Sequence, residues 1–242
     1  MRLEEASTAE SRRVAKAILQ EMKAVRCVFE QEGGIEGDFR LRKLRHLAGE
    51  DRTLTTHKEN GCSFRVDVAR CYFSPRLATE RMRIAEWAAP GESVLNMFAG
   101  VGPFSVLLAK RKRARVLSCE LNRLACELHE ENDSANKVEK LVKVVNADAM
   151  RLPKLTRRRF DRILMPHPSQ ADRFLPTALA LAKPCSTIHY YRHLLGADEE
   201  EASRNLDEEL GRLLPARADY RSRRVREVGP RWLEMAADIR LP

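Results

Sequence analysis

Between residues 93 and 192 the chain alternates short apolar strands with helices, and this alternation constrains the fold more than any other feature. SVLNMF (93–98) reads as a strand, PFSVLLAKR (103–111) as a helix with proline in its first turn, ARVLSCEL (114–121) as a second strand, and residues 123–136 as a second helix. LVKVVNAD (141–148), RFDRILM (159–165) and STIHYYR (186–192) supply three more strands, with a helix over 170–183. Strands this short and apolar, alternating with helices, specify a doubly wound, mainly parallel α/β sheet. A helix over 199–214 follows. The tail, DYRSRRVREV then RWLEMAADIRL, predicts two adjoining strands that form an antiparallel hairpin at one edge.

The first 80 or so residues have a different texture. Val14, Ile18, Leu19 and Met22 recur at helical spacing, which predicts a helix over 8–23. AVRCVFE (24–30) reads as a strand, GGIEGDF (33–39) as a loop, and RLRKLRHLAG (40–49) as a short basic helix ending at Gly49. TLTTHKENGCSFRVDVA (53–69) reads as a hairpin, because Asn60-Gly61 tolerates the positive φ of a tight two-residue turn. The expected division is a small α+β domain over 1–83 and a Rossmann-like domain over 84–242.

The turn NMFAGVGPF (96–104) joins the first strand of the alternating region to its helix. Gly100 and Gly102 let the backbone turn tightly and approach a ligand closely. Glu120 lies about 20 positions on, at the end of the second strand, where a carboxylate accepts both ribose hydroxyls of a nucleotide. Asp148, at the end of the third, is placed to meet an adenine amino group. The third glycine of a dinucleotide fingerprint is missing, since Phe104 and Ser105 follow Pro103. The pattern therefore fits S-adenosylmethionine better than NAD.

Bulk properties narrow the partners. The net charge is +9, carried largely by arginines in clusters such as KRKRAR (110–115), RRR (157–159) and RSRRVR (221–226), which favours a polyanion. No apolar run approaches a membrane helix, and the charged N-terminus does not resemble a secretory signal, so the expected address is cytoplasmic. The six cysteines form no CxxC pair and read as reduced thiols. The histidines lack metal-ligand spacing, so no metal is expected.

After the fourth strand comes DRILMPHPS (161–169), in which Pro166 and Pro168 stiffen a loop suited to the rim of a base pocket. Together with FRLRKLRHLAGEDRTLTTHKENG (39–61), VDVARCYFSPRLATERMRI (66–84), NMFAGVGPFSV (96–106) and STIHYY (186–191), it resembles the archaeal and eukaryotic tRNA (guanine37-N1)-methyltransferase family. VREVGPRW (225–232) is a weaker echo. The resemblance implies a class I S-adenosylmethionine-dependent methyltransferase with a small RNA-side domain, acting as a monomer on N1 of G37 in the tRNA anticodon loop. It implies Glu80 as general base, Arg40 as the arginine that steadies charge on guanine O6, and Tyr72 at the site entrance. It also implies a cofactor site of Phe98, Ala99, Gly100, Val101, Gly102, Glu120, Asp148, Ala149 and Pro166, and a substrate rim of Arg76, Pro166, His167 and Pro168.

The chemistry suits those roles. Guanine N1 is a poor nucleophile until its proton leaves, a nearby carboxylate can take it, and a fixed guanidinium can steady the charge that develops on O6. Without the resemblance, Glu80 reads as a surface ion-pair partner of Arg76 or Arg81.

The chain departs from the family in three places. Asn96 stands where many relatives have aspartate. Pro166-His167-Pro168 replaces the usual asparagine–leucine–proline or proline–leucine–proline, a form like that of an archaeal subgroup with members that also methylate a wyosine precursor. About 30 residues precede the matching region, too few for the family's additional N-terminal domain. Four other readings stay open. One is the sister family that transfers the aminocarboxypropyl group to a wyosine intermediate. Another is methylation of a wyosine precursor at position 37. The third is a non-catalytic RNA-binding module, and the fourth a small-molecule methyltransferase, for which the arginine clusters give no reason.

Overall fold

The structure is a computed structural model and describes residues 8–37 and 41–242. In chain order its elements are α1 (Thr8–Glu21), β1 (Cys27–Glu36), β2 (Leu41–Gly49), β3 (Leu54–Glu59), β4 (Cys62–Asp67), α2 (Ala78–Trp87), β5 (Ser93–Asn96), α3 (Pro103–Lys112), β6 (Arg115–Glu120) and α4 (Arg123–Ala135). There follow β7 (Val142–Asn146), α5 (Leu152–Leu155), β8 (Phe160–Met165), α6 (Ala171–Leu181), β9 (Ala182–Leu195), α7 (Glu199–Leu213), β10 (Asp219–Gly229) and β11 (Trp232–Arg240).

The main sheet has the order β10-β11-β9-β8-β5-β6-β7. β9, β8, β5, β6 and β7 run parallel, and β11 is antiparallel to both of its neighbours. The terminal hairpin is therefore present at the edge, but the last strand of the chain sits inside it, between β9 and β10. One face of the sheet packs on α6 and α7 through Leu175, Leu206, Leu210 and Met235. The other packs on α2, α3 and α4 through Ile84, Leu107, Leu108 and Leu128.

Two local expectations are corrected. Residues 41–49 of the segment expected as a basic helix over 40–49 form strand β2, and β1 runs on into the expected loop as far as Glu36. Leu41, Leu44 and Leu47 mimic a helical stripe, but β1 offers carboxylates across the ladder. Lys43 meets Glu32, and Arg45 meets Glu30 and Glu32. Such cross-strand pairs decide between two otherwise compatible periods. The Asn60-Gly61 turn has φ of 51° and 74°, as the hairpin reading requires.

The β3–β4 hairpin does not pack with β1 and β2. Phe64 and Val66 belong to the same buried cluster as Val94, Leu107 and Leu128. Asn132 of α4 and its C-cap Asn136 stand in for a neighbouring strand. Asn136 exchanges bonds with both backbone groups of Ser63 (3.0 and 2.7 Å), and Asn132 with both of Arg65 (2.6 and 3.1 Å). The boundary expected at 83/84 falls inside α2. α1 packs on the separate two-stranded sheet of β1 and β2.

Candidate active site

A cavity of about 230 Å³ opens at the carboxyl ends of β5, β6, β7 and β8. Phe98, Ala99 and Gly100 line it after β5, Glu120 at the end of β6, Asp148 and Ala149 after β7, and Pro166 and His167 after β8. All eight were expected from sequence.

The glycine turn is built around Glu120. Gly100 (φ 54°) donates its N–H to Glu120 Oε2 at 2.7 Å, and Asn122 donates to Oε1 at 2.8 Å. Each oxygen keeps a lone pair for one hydroxyl, so a ribose diol fits as a second pair of donors. Burial pushes the Glu120 carboxyl above its usual range, against the pull of the Asn122 and Gly100 amides. Asp148 caps a 3-10 turn by accepting from Met150 N–H at 2.9 Å, and retains acceptor capacity for an amino group. These carboxylates and the apolar Phe98–Phe174 edge contact (4.8 Å between ring centres) suit an adenosine.

Val101 and Gly102 do not line the cavity. Val101 is wholly buried in the core beneath the turn. Gly102 (φ 90°) caps α3, and a Cβ there would overlap the buried ring of His129. Asn96, the first departure, is wholly buried. It donates to Ser105 Oγ at 3.1 Å and its Oδ1 accepts from Phe98 N–H at 3.4 Å, a place where a neutral amide needs no counter-charge.

A second, open cleft of about 1310 Å³ separates α1, β1 and β2 from the main sheet. Arg42, Arg76 and Arg226 line it, and it shares Tyr72, Ser74, His167 and Gln170 with the first cavity. Arg76 and His167, expected at a substrate rim, both border this cleft. Pro168 is buried and holds β9 through its carbonyl, which accepts from His193 N–H at 3.1 Å. It is a strut and not a rim residue. Arg40 lies outside the described residues.

Glu80 lines neither space. It is 5% exposed and takes four hydrogen bonds from the described residues. Arg83 grips it through Nε (3.0 Å) and Nη2 (2.8 Å), the Tyr191 hydroxyl donates at 2.6 Å, and Arg223 donates to Oε2. Its partners are therefore not Arg76 or Arg81. Arg81 binds Glu59 instead, at 2.5 and 2.6 Å. The sequence also missed Gln170, Arg173 and Phe174 of the cavity wall. Their only signal was their place at the start of the helix after the proline loop.

The cysteines are free thiols: four are buried, Cys27 is half-buried and Cys185 is exposed. Burial pushes Cys71, Cys119 and Cys126 up to about 12, far from reactive thiolates. Among the described residues no helix is long and apolar enough to cross a membrane.

A doubly wound sheet with one inserted antiparallel strand, a glycine turn after β5 and an acceptor at the end of β6 defines a class I methyltransferase fold. Comparison with known proteins makes this specific. Residues 55–210 match the TRM5/TYW2 methyltransferase domain, so the chain belongs to that family. It is similar to the tRNA (guanine(37)-N(1))-methyltransferase Trm5b of Pyrococcus abyssi, at 39% identity over 234 residues, covering 96% of this chain and 68% of that protein. The solved complex of aTrm5 and tRNALeu superposes with a TM-score of 0.86 at 32% identity, covering 99% of this chain and 68% of that one. The M. jannaschii TYW2 structure in complex with AdoMet gives 0.68 at 27% identity, covering 81% and 89%.

Proposed function

We propose that the protein transfers the methyl group of S-adenosylmethionine to N1 of guanine 37 in tRNA. The observation that carries this reading is the shared wall. Tyr72, Ser74, His167 and Gln170 border both the nucleotide cavity and the basic cleft, so a ligand in one meets a ligand in the other only there. Glu120 would hold the ribose and Asp148 the adenine amino group. When bound, the cofactor supplies an electrophilic methyl on a sulfonium.

The chain's residues do the rest. The cleft between the small unit and the sheet takes the RNA, with Arg42, Arg76 and the net charge of +9 drawing the phosphates. The proline loop and Tyr72 border a base turned out of its stack. Glu80, once one of its four donors gives way to the base, takes the N1 proton, so a negative carboxylate becomes neutral while the positive sulfonium becomes a neutral thioether. Arg40 steadies O6. The enzyme works as a monomer in the cytoplasm, without a metal. The structure of the relative with tRNA supports the substrate class, and its higher TM-score favours methyl transfer over the TYW2 reaction.

Glu80→Gln tests the base. General-base catalysis contributes about 10²- to 10⁴-fold, so single-turnover transfer should fall by that much while cofactor affinity measured by calorimetry is unchanged. Normal turnover in the variant would remove Glu80 from the mechanism.

A further inference from the structure

Cofactor binding leaves one feature of the sheet unexplained. The face of β9, β11 and β10 that meets α2 is polar, although its β9 and β11 residues are largely buried. Across the register lie His189, Asp238 and Arg221, then Tyr191, Ala236 and Arg223, then His193, Glu234 and Arg226. Strand alternation would send Arg223 and Arg226 to opposite faces. A register shift between Arg224 and Arg226 returns the second arginine to the face of the first. The RSRRVR cluster is therefore divided, and two of its arginines turn inward.

Both reach candidate site residues. Arg226, backed by Glu234 (2.6 Å), donates to Ser74 Oγ (3.2 Å) and to the Tyr72 hydroxyl (3.5 Å). Arg223 donates to Glu80. Tyr191 and Arg223 flank Ala236 in the register and both bind Glu80, so the carboxylate spans the gap that this small residue leaves.

We infer that edge strand β10 is part of the reacting site, with Arg223 as the positioning residue that holds Glu80 until the base displaces it. The inference rests on Glu80 being the proton acceptor. Of Glu80's three partners, two are fixed. Arg83 also grips Asp238 at 2.7 and 3.0 Å and stacks on Trp87 at 4.9 Å. Asp238 in turn accepts from His189 Nδ1 (2.5 Å), and Arg162 lies 2.6 Å from His189 Nε2. Arginine only donates, so that nitrogen accepts and His189 is a neutral ring with its proton on Nδ1. Tyr191 is 1% exposed.

Arg223 differs from both. Its side chain is 34% exposed, and its buried Nε has no partner among the described residues. It alone can withdraw toward solvent, and its withdrawal frees a lone pair on Oε2 for the guanine N1–H.

Among the described residues the charged and titratable groups around Glu80 are Arg83 from α2, Tyr191 from β9 and Arg223 from β10, with Asp238 behind Arg83. Removing Arg223 should therefore make the carboxylate easier to protonate. The test is transfer at sub-saturating G37 transcript, whose acid limb reports the free enzyme in which Arg223 still holds Glu80, from pH 4 to 9, for the parent, Arg223→Ala, Arg223→Lys and Glu80→Gln. Thermal unfolding and cofactor calorimetry serve as controls for folding. A neighbouring opposite charge lowers a carboxyl by about 1 to 3 pH units, so Arg223→Ala should raise the midpoint of the acid limb by about one unit. Arg223→Lys should restore it, and Glu80→Gln should remove the limb. A parental midpoint in Arg223→Ala, with the limb lost in Glu80→Gln, overturns the inference and leaves the base intact. A parental limb in Glu80→Gln overturns the reading beneath it. If Arg223→Ala unfolds, Arg223→Gln is scored the same way.

Discussion

Gly102→Ala perturbs one Cβ at the base of the glycine turn. Gly102 sits at φ 90°, and left-handed backbone costs a residue with a Cβ about 1 to 2 kcal/mol. The new methyl also meets three atoms of the His129 ring, which is wholly buried and cannot swing into solvent. Overpacking of this kind costs about 1 to 3 kcal/mol. The sum is about 2 to 5 kcal/mol, and for a domain of this size each kcal/mol moves Tm by about 2 to 4 °C. Circular dichroism melts should therefore show a fall of at least about 4 °C. Calorimetry should show weaker S-adenosylmethionine binding, because Gly100 and its bond to Glu120 lie in the same turn. Adding His129→Ala should return the packing share, so the double variant should lose less than the sum of the singles, by about 1 kcal/mol or more. A Tm within a degree of the parent, or strict additivity with His129→Ala, would refute this account of the turn.

Two further outcomes are expected. Glu120→Gln puts an NH2 group where an oxygen accepts a turn amide and would accept a ribose hydroxyl, at about 1 to 3 kcal/mol for each donor left unpaired; calorimetry should show cofactor affinity down by about ten- to a hundredfold, and the unpaired turn amide should lower Tm of the free protein by about 2 °C or more. Asp133 is buried, and burial raises its carboxyl to about 8 from an ordinary value of 3.8. Its destabilising effect is fully present above about pH 8 and fades as pH falls toward 3.8. Asp133→Asn should then raise Tm most at pH 8.5 and little at pH 4.5, and a gain independent of pH would contradict this.

The sheet was legible because its code is local. β5 to β8 are short apolar runs bounded by turn residues, and each expected element from residue 93 onward lies within a few positions of its expected bounds, although β9 extends further at both ends and the short α5 was not foreseen. Glu120 and Asp148 were legible because a strand end fixes where a side chain points. β2 was not, because its leucines fit two periods and the carboxylates that settle the choice lie on another strand. Nor were the partners of Glu80. Arg223 is 143 positions away and Tyr191 is 111 positions away, and only the insertion of β11 beside β9 brings both beneath α2. Arg223 read as part of a surface cluster because a bulge has no sequence signature as plain as a glycine turn.

The central claim is methyl transfer to guanine 37. Incubate the purified protein with S-adenosylmethionine and tRNA transcripts bearing G37 or A37, digest, and resolve the nucleosides by mass. The account requires one added methyl on guanosine, with G37 transcripts only. No gain on G37, with an aminocarboxypropyl adduct on tRNA already carrying the wyosine intermediate, would contradict it and place the chain on the other branch of its family.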